Sequence, residues 1–378
     1  MIYFDNAATT LHKPPEVAAA MQWAAGNLGS PGRGGHDYAK NAGEAAFALR
    51  ELASKYFNVG SSERVVITSN ATHALNIAIN ALAQKGKRAV ISGYEHNSVY
   101  RPVMNSGMSV TIAQGQLFDA EDTLEAFDAA LKRDTALCVV NHVSNVFGYI
   151  QPIEQIAELC AARGIPLVID ASQSAGAIAL DFSALGAEYV AMPGHKGLYG
   201  PQGTGLLLCK DARGMSPFLY GGSGSNSKQV DMPDYTPDRL EAGTHNMPGI
   251  AGLYEGLRFV IGLESGSPGR IAKHENNLLN TAADGLSKIS GVTLYRADDS
   301  AVQSGVLSFN IAGKDCEAAA EELNCLGAAV RAGMHCAPMA HKSAGTYKTG
   351  TIRASFGVYN TAEEAKRFAE LAAMLVNS

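Results

Sequence analysis

The feature that most constrains this chain is the alternation of short apolar runs with segments of helical periodicity between about residues 64 and 210. The apolar runs lie at 65–67, 89–91, 137–140, 167–169, 189–191 and 206–208. Segments with apolar residues at helical spacing lie between them, for example at 72–84, 120–132 and 153–163. Strands that are apolar on both faces are typical of a mostly parallel sheet with helices on both sides. The pattern therefore predicts an α/β fold.

The alternation stops at residues 211–247, where glycines and prolines cluster, and this stretch is predicted to be a long functional loop region. The elements predicted after it are less regular and favour a smaller α+β domain. They are helices near 250–265, 315–326 and 361–376, and strands near 291–296 and 305–311. We predict a large domain over 16–250 and a small domain over 251–378. Residues 1–15 are predicted to belong with the small domain, packing on it or over the site.

Composition excludes several classes of function. The 378 residues include 30 basic and 36 acidic side chains, a net charge of -6, which argues against a dedicated nucleic-acid binder. No apolar run approaches the ~20 residues that cross a bilayer, and the first residues lack the pattern of a signal peptide. The six cysteines form no C-x-x-C pair, which favours a reduced, cytoplasmic protein. We predict Cys138, Cys160 and Cys209 in the core, and Cys316 and Cys325 on a helix.

Polar residues follow each predicted strand, at the edge where parallel sheets bind ligands. They lie at 68–72, 92–96, 141–145, 170–173 and 192–197. One rim is therefore predicted to gather the hydroxyl-rich start of a helix, His96, Asp170 and Lys196.

That combination indicates pyridoxal 5'-phosphate (PLP). This cofactor needs a lysine for its imine bond, an acid for its ring nitrogen and an anion site for its phosphate. Asp170 would favour a protonated ring nitrogen, and His96 would stack on the ring. Gly194 and Gly197 are predicted to leave room for the cofactor beside Lys196.

Motifs spread over nearly the whole chain carry a family resemblance. They are Tyr3–Thr10, Asn70–Thr72, Glu95–Ser98, Asp170–Gln173, Gly194–Lys196, Tyr199–Pro201, Glu241–Thr244, Arg331–Cys336 and Arg353–Ser355. In this order and spacing they resemble the class V aminotransferase family, in its cysteine desulfurase and selenocysteine lyase branch. The resemblance implies a fold-type I PLP-dependent transferase, with a mostly parallel seven-stranded sheet in the large domain and a smaller α+β C-terminal domain. It also implies a homodimer with sites at the subunit interface.

The resemblance assigns roles by position. Lys196 would hold the cofactor, Asp170 would pair with its ring nitrogen, Gln173 would reach its phenolic oxygen and His96 would stack on it. The phosphate would be held by Ala71, Thr72 and His195, and by Thr244 acting on the neighbouring subunit. Substrate would be bound by Asn145, Arg353, Arg331, Asn6 and Ala7, since an arginine fork suits a carboxylate. The family often has serine where this chain has Pro193, so one phosphate hydroxyl is missing.

Within this family resemblance, Cys336 is the residue that indicates which reaction the protein catalyses. The segment from Arg331 to Cys336 resembles the family's catalytic-cysteine loop, in which a thiolate takes sulfur from L-cysteine, releases L-alanine and keeps a persulfide. A nearby cation favours the thiolate, and Arg331 and His335 lie close to Cys336 in sequence. The short stretch from Cys336 to Arg353 is closer to the second group of the family and implies an enclosed cysteine that delivers sulfur to a partner or reductant.

Other readings stay open. A selenocysteine lyase acting on L-selenocysteine would use the same groups, whereas a cysteine or cystine C–S lyase would release pyruvate and would not need Cys336. Transamination gives Cys336 no role, and the presence of Lys196, Asp170 and Arg353 argues against a PLP-binding protein without catalysis. A metal site at His335, Cys336 and His341 lacks ligand spacing and a fourth ligand, so no metal is predicted. The glycine runs after 200 give only a weak dinucleotide signal.

Overall fold

The computed structural model describes residues 1–32, 34–211, 215–225 and 228–376. Its strands, in chain order, are β1 (Ile2–Tyr3), β2 (Val65–Thr68), β3 (Arg88–Ser92), β4 (Ser109–Ala113), β5 (Thr135–Asn141), β6 (Leu167–Asp170), β7 (Tyr189–Pro193), β8 (Gly205–Cys209), β9 (Val292–Tyr295), β10 (Val306–Ile311), β11 (Ala328–Ala329), β12 (Arg331–Gly333) and β13 (Thr351–Ser355). Its α-helices are α1 (Pro15–Asn27), α2 (Asp37–Tyr56), α3 (Ala71–Leu82), α4 (Asn97–Met104), α5 (Ala120–Ala130), α6 (Ile153–Ala162), α7 (Phe182–Leu185), α8 (Met247–Glu264), α9 (Arg270–Leu286), α10 (Cys316–Cys325), α11 (Pro338–Ser343) and α12 (Ala362–Val376). No helix in these described ranges is both long and apolar enough to cross a bilayer.

A seven-stranded sheet forms the centre of the larger part, in the order β2-β8-β7-β6-β5-β3-β4. Only β8 runs antiparallel to its neighbours, so the predicted mostly parallel sheet is confirmed. Successive residues of one strand pack into different cores: Val139 lies in one core and Val140 in the other. Helices cover both faces, which is why these strands are apolar without alternation.

The edge strand β4 was not predicted. Its sequence, Ser-Val-Thr-Ile-Ala, alternates polar and apolar residues and is only partly buried, because an edge strand has one neighbour and more solvent. In contrast, the predicted loop region at 211–247 contains no helix or strand in the residues described there before Met247, where α8 begins.

The C-terminal part has its own antiparallel sheet, in the order β12-β13-β10-β9, packed against α9, α10 and α12. Strand β1 pairs in parallel with β11, so the first residues join this part, and Phe4 lies fully buried in its core. Hydrogen bonds from Thr9 and Thr10 to the carbonyl of His195 also tie the same segment to the loop that carries Lys196. The domain boundaries at 15 and 250 stay a prediction.

The cysteine predictions for the core and the helix agree with the structure. Cys138, Cys160 and Cys209 are buried, and α10 begins at Cys316 and ends at Cys325. Burial raises the pKa of the Cys209 thiol, which makes that side chain inert as a nucleophile at neutral pH.

Candidate active site

A cavity of about 200 Å³ lies at the carboxyl-terminal edge of the seven-stranded sheet. The sheet topology creates it, because β5, β6 and β7 run in the same direction and end side by side. Strands β12 and β13 of the small sheet and the N-terminal segment close the cavity from the other side. Most of the sequence-predicted site residues line it, namely Ala7, Ala71, Thr72, His96, Asn145, Asp170, Gln173, His195, Lys196, Arg331 and Arg353.

Asp170 is the last residue of β6 and is buried. One carboxylate oxygen, Oδ1, accepts hydrogen bonds from the Ser172 N–H at 2.9 Å and from the Ser172 hydroxyl. The other oxygen has no donor among the described residues. Burial raises the pKa of Asp170, so a cationic N–H placed beside it would be strongly favoured as a partner.

Lys196 follows β7 by three residues, and its Nζ makes no hydrogen bond within the described chain. Burial lowers its pKa to about 8, with the charge of Asp170 acting in the opposite direction. A larger fraction of the amine is therefore neutral near pH 7 than in an exposed lysine. A neutral amine is what imine formation with an aldehyde requires.

An anion site is present at the start of α3. Asn70 caps this helix, its Oδ1 accepting from the N–H of His73 at 2.9 Å. The N–H groups of Ala71 and Thr72 have no acceptor in the described residues, and such free groups at a helix N-terminus favour a phosphate. His195 lies beside them, and burial lowers its pKa to about 4, so its ring is neutral at pH 7.

His96 presents a neutral ring to the same cavity. Its Nδ1 accepts from the Ser98 N–H at 3.0 Å, which caps α4 and fixes the ring. Burial, together with the positive charges of Lys196 and Arg331, lowers the pKa of His96 to about 4. Because the imidazole ring is uncharged and fixed, it is better suited to stacking on an aromatic cofactor than to forming an ion pair.

Arg353 and Arg331 supply positive charge at the other end of the cavity. They lie directly opposite each other in the pairing of β12 with β13. Arg353 is only 1% exposed; its Nη1 donates to the Asn145 carbonyl at 2.8 Å and its Nη2 to Asp5 Oδ1 at 2.6 Å. Within the described part of the chain, its Nε and the side-chain Oδ1 of Asn145 have no partner. A ligand with both a carboxylate and an N–H would satisfy these groups.

Cys336 lies beyond the rim, in a surface groove whose lining includes Thr72, His96 and Ser98, which also line the cavity. Arg331 Nη2 approaches its sulfur at 3.8 Å. The predicted enclosure of Cys336 is wrong for this chain, because the thiol is exposed. The Asn97 N–H holds the Cys336 carbonyl at 2.8 Å, which anchors the backbone and leaves the side chain at the surface.

Two further predicted site residues lie outside the cavity. Thr244 is exposed and lines a separate cavity of about 500 Å³ beside Arg50 and Glu241. Asn6 is turned toward the C-terminal part of the chain, its Nδ2 donating to the Ser355 carbonyl at 2.9 Å and to Asn360 Oδ1 at 3.0 Å.

Three functional groups were not singled out from the sequence. Asp5 neutralises Arg353, and Ser172 orients Asp170. Glu95 is fully buried, its Oε1 accepts from the Asn141 N–H at 2.8 Å, and burial raises its pKa to about 8. Each lies inside a motif quoted above, next to a residue that received a role. The residues that these side chains contact are either distant in sequence or brought near by a local turn. The motifs alone therefore do not predict the contacts.

The glycines beside Lys196 allow close packing of the protein around the loop. A side chain at Gly194 would collide with the Thr204 hydroxyl, and one at Gly197 with the Ala175 carbonyl. That they also leave room for a cofactor stays a prediction. The alternative metal site is also wrong: His335, Cys336 and His341 do not form a ligand group, and none of three or more such side chains occurs in the described residues.

The donor set fits PLP in each part: an unpaired amine, a buried carboxylate, a neutral ring and free N–H groups at a helix start. Pro193 lines the cavity where the family often has a serine.

Comparison with known proteins gives consistent results. The sequence profile described as "Aminotransferase class-V" matches residues 2–368. The chain is 33% identical to a probable cysteine desulfurase of Methanothermobacter thermautotrophicus, over 98% of this chain and 93% of that protein. It is 31% identical to one of Pyrococcus abyssi, over 100% and 95%.

Solved structures agree with the predicted fold class and confirm it. An apo cysteine desulfurase from Thermococcus onnurineus superposes with a TM-score of 0.90 at 30% identity, over 100% of this chain and 94% of that chain. The cysteine desulfurase CsdA of Escherichia coli gives a TM-score of 0.87 at 26% identity, over 99% and 94%.

Proposed function

The chain belongs to the class V aminotransferase family, and from this premise we propose that it is a PLP-dependent cysteine desulfurase. It converts L-cysteine to L-alanine and keeps the sulfur as a persulfide on Cys336. The observation that carries the proposal is the joint arrangement of Lys196, Asp170 and Arg353 in one cavity with the exposed Cys336 close to its rim.

When bound, PLP supplies an electron sink that labilises bonds at the carbons next to the amino group. Asp170 would favour a positive charge at the ring nitrogen of the cofactor, and the Ala71 and Thr72 N–H groups would hold its phosphate. Gln173 is positioned by its Nε2, which donates to the Ala7 carbonyl at 2.9 Å. His96, which lines the same cavity, would cover the ring and exclude water.

Arg353 and Asn145 orient the substrate carboxylate, and Lys196 moves protons between the substrate carbons. The Cys336 thiolate attacks the substrate sulfur, so that an S–S bond forms while the C–S bond breaks. The electron pair of the broken bond stays with the substrate carbon, which takes up a proton and leaves as alanine. Arg331, 3.8 Å from the sulfur, stabilises the thiolate.

The active form is a homodimer in this proposal. Thr244 is exposed and distant from the cavity of its own chain, which fits a role at the phosphate of a second copy. The exposed Cys336 fits sulfur transfer to an acceptor protein or a small thiol. A cytoplasmic setting, which would keep this thiol reduced, is part of the same proposal.

The test is product analysis with L-cysteine. The wild-type holoenzyme should release alanine, and Cys336→Ala should lose this turnover while keeping the visible absorption of bound PLP. Cys325→Ala is the matched control, because Cys325 is the other exposed thiol in the described residues, and it should keep wild-type activity.

Other outcomes identify the rivals. Pyruvate in place of alanine, formed equally by Cys336→Ala, would establish a C–S lyase. Loss of cysteine turnover with retention of selenocysteine turnover in Cys336→Ala would favour a selenocysteine lyase.

A further inference from the structure

A second cavity, of about 160 Å³, lies on the other side of Lys196 from the candidate active site. The two cavities share Ala7, Ser172, Gln173 and Lys196 in their walls. The far end of the second cavity is formed by α9 and by the segment that leads into β10. No role proposed above uses that end.

Three residues that line this far end carry oxygen atoms without partners in the described part of the chain. The carboxylate of Glu275 has no hydrogen-bond donor and no ion pair among the described residues. Asn276 Oδ1 and Ser304 Oγ are buried and likewise have no partner. All three residues line the cavity.

Gly305 lets the Glu275 side chain lie close to the backbone of this wall. A Cβ built on Gly305 would lie 2.6 Å from the Glu275 Cβ and 3.0 Å from its Oε2. Only glycine lets the Glu275 carboxylate lie against the backbone next to Ser304. The close approach therefore depends on the residue type and is a built feature of this wall.

The arrangement is costly without a ligand. Burial, together with the nearby charge of Glu264, raises the pKa of Glu275 to about 8. An unpaired buried acceptor typically costs about 1–3 kcal/mol. A positively charged ligand that is coordinated by several oxygen atoms would remove this cost.

We propose that the far end of this cavity binds one small monovalent cation of the potassium or ammonium type, held by Glu275, Asn276 and Ser304. One carboxylate balances a single charge, and amide and hydroxyl oxygens complete the coordination together with water. Calcium takes six to eight oxygen ligands, commonly several carboxylates. Transition metals prefer imidazole or thiolate ligands, which the described lining lacks.

Thermal unfolding of the holoenzyme in matched salts tests the site. Potassium and ammonium chloride should each raise the wild-type midpoint by about 2 °C or more over tetramethylammonium chloride, whose cation is too large to enter. Glu275→Gln should lose the difference between the salts. Glu125→Gln, an exposed carboxylate on α5, is the matched control and should keep it.

A second measurement tests the site even if the Glu275→Gln variant does not fold. Calorimetric titration of potassium chloride into wild-type protein in tetramethylammonium buffer should give one site per chain, and Asn276→Ala should weaken it severalfold. Equal midpoints in all three salts, or an equal potassium effect in Glu275→Gln, would overturn the proposal. Neither readout depends on desulfurase activity, so its outcome is separate from that of the proposed function.

Discussion

At the residue scale, the pairing of Asp5 with Arg353 connects the first residues of the chain to the substrate end of the cavity. Arg353 is the larger and more deeply buried partner, and it faces Arg331 across the strand pair. Two adjacent guanidinium groups repel each other, and a buried charge without a partner is strongly destabilising. The 2.6 Å contact with Asp5 offsets both effects and fixes the plane of the Arg353 guanidinium.

Asp5→Asn is therefore expected to lower the stability of the apoprotein by about 2–4 kcal/mol and to raise the KM for L-cysteine more than it changes kcat. Urea unfolding and steady-state kinetics measure the two effects. Asp37→Asn, at an exposed 3.8 Å ion pair, is the control and should change neither. An unchanged urea midpoint in Asp5→Asn would mean that Arg353 does not depend on this carboxylate.

The depressed pKa of Lys196 predicts the pH dependence of cofactor binding. The amine loses its proton as the pH rises through about 8 instead of 10.5. The rate at which apoprotein binds PLP should thus increase with pH and level off above about 8. Stopped-flow absorbance measures this rate.

Lys13 makes a useful control, because burial lowers its pKa to about 8 as well. Lys13→Arg should leave the midpoint near 8, since Lys196 is the reacting amine. If the midpoint moves in Lys13→Arg, the pH dependence of PLP binding is set by Lys13 and not by Lys196.

At the element scale, the turn between β12 and α11 determines where the thiol lies. His335 and Cys336 both adopt the left-handed backbone conformation, with φ of 46° and 57°, which is costly for residues other than glycine. Three contacts hold this turn. His335 Nε2 bonds the Thr351 carbonyl at 2.9 Å, its carbonyl accepts from Asn145 Nδ2 at 2.8 Å, and its ring stacks on His341.

His335→Phe should keep the ring contact and lose the bond to Thr351. We expect a loss of about 1–3 kcal/mol in stability and faster labelling of Cys336 by a thiol reagent, because the turn opens more often. Labelling of the variant in a Cys325→Ser background reports on Cys336 alone. The control is His12→Phe, at an exposed position, and equal labelling rates in both variants would contradict a holding role for His335.

At the scale of the whole molecule, the N-terminal segment joins the two sheets. Phe4 packs on Phe356 and Phe368 in the small core, at ring distances of 4.8 and 5.4 Å. The next residues reach the active cavity through Asp5 and Ala7. Packing in the small domain therefore positions groups at the edge of the large sheet.

Phe4→Ala should cost about 3–5 kcal/mol, the usual range for a buried phenylalanine, and should also weaken substrate binding through Asp5. Leu11→Ala is the control, because Leu11 is 57% exposed and lies on the same segment. Denaturant unfolding and the KM for L-cysteine measure the two effects. A destabilised variant with unchanged KM would show that the two sheets are not coupled in this way.

The sequence by itself determined the parallel sheet, the order of the elements and the residues on its rim. Apolar runs specify buried strands, and strand direction then brings Asp170 and Lys196 to one edge. The edge strand β4 escaped prediction because its alternating pattern is not that of a buried strand.

Only the tertiary structure decided which distant groups meet. The Asp5–Arg353 pair spans most of the chain, and its formation depends on how the small sheet docks, which no local pattern encodes. The exposure of Cys336 likewise depends on contacts from Asn97 and Arg331 on two different elements. Local patterns fix strands and motifs because these depend on neighbours in sequence, whereas charge pairing and exposure depend on neighbours in space.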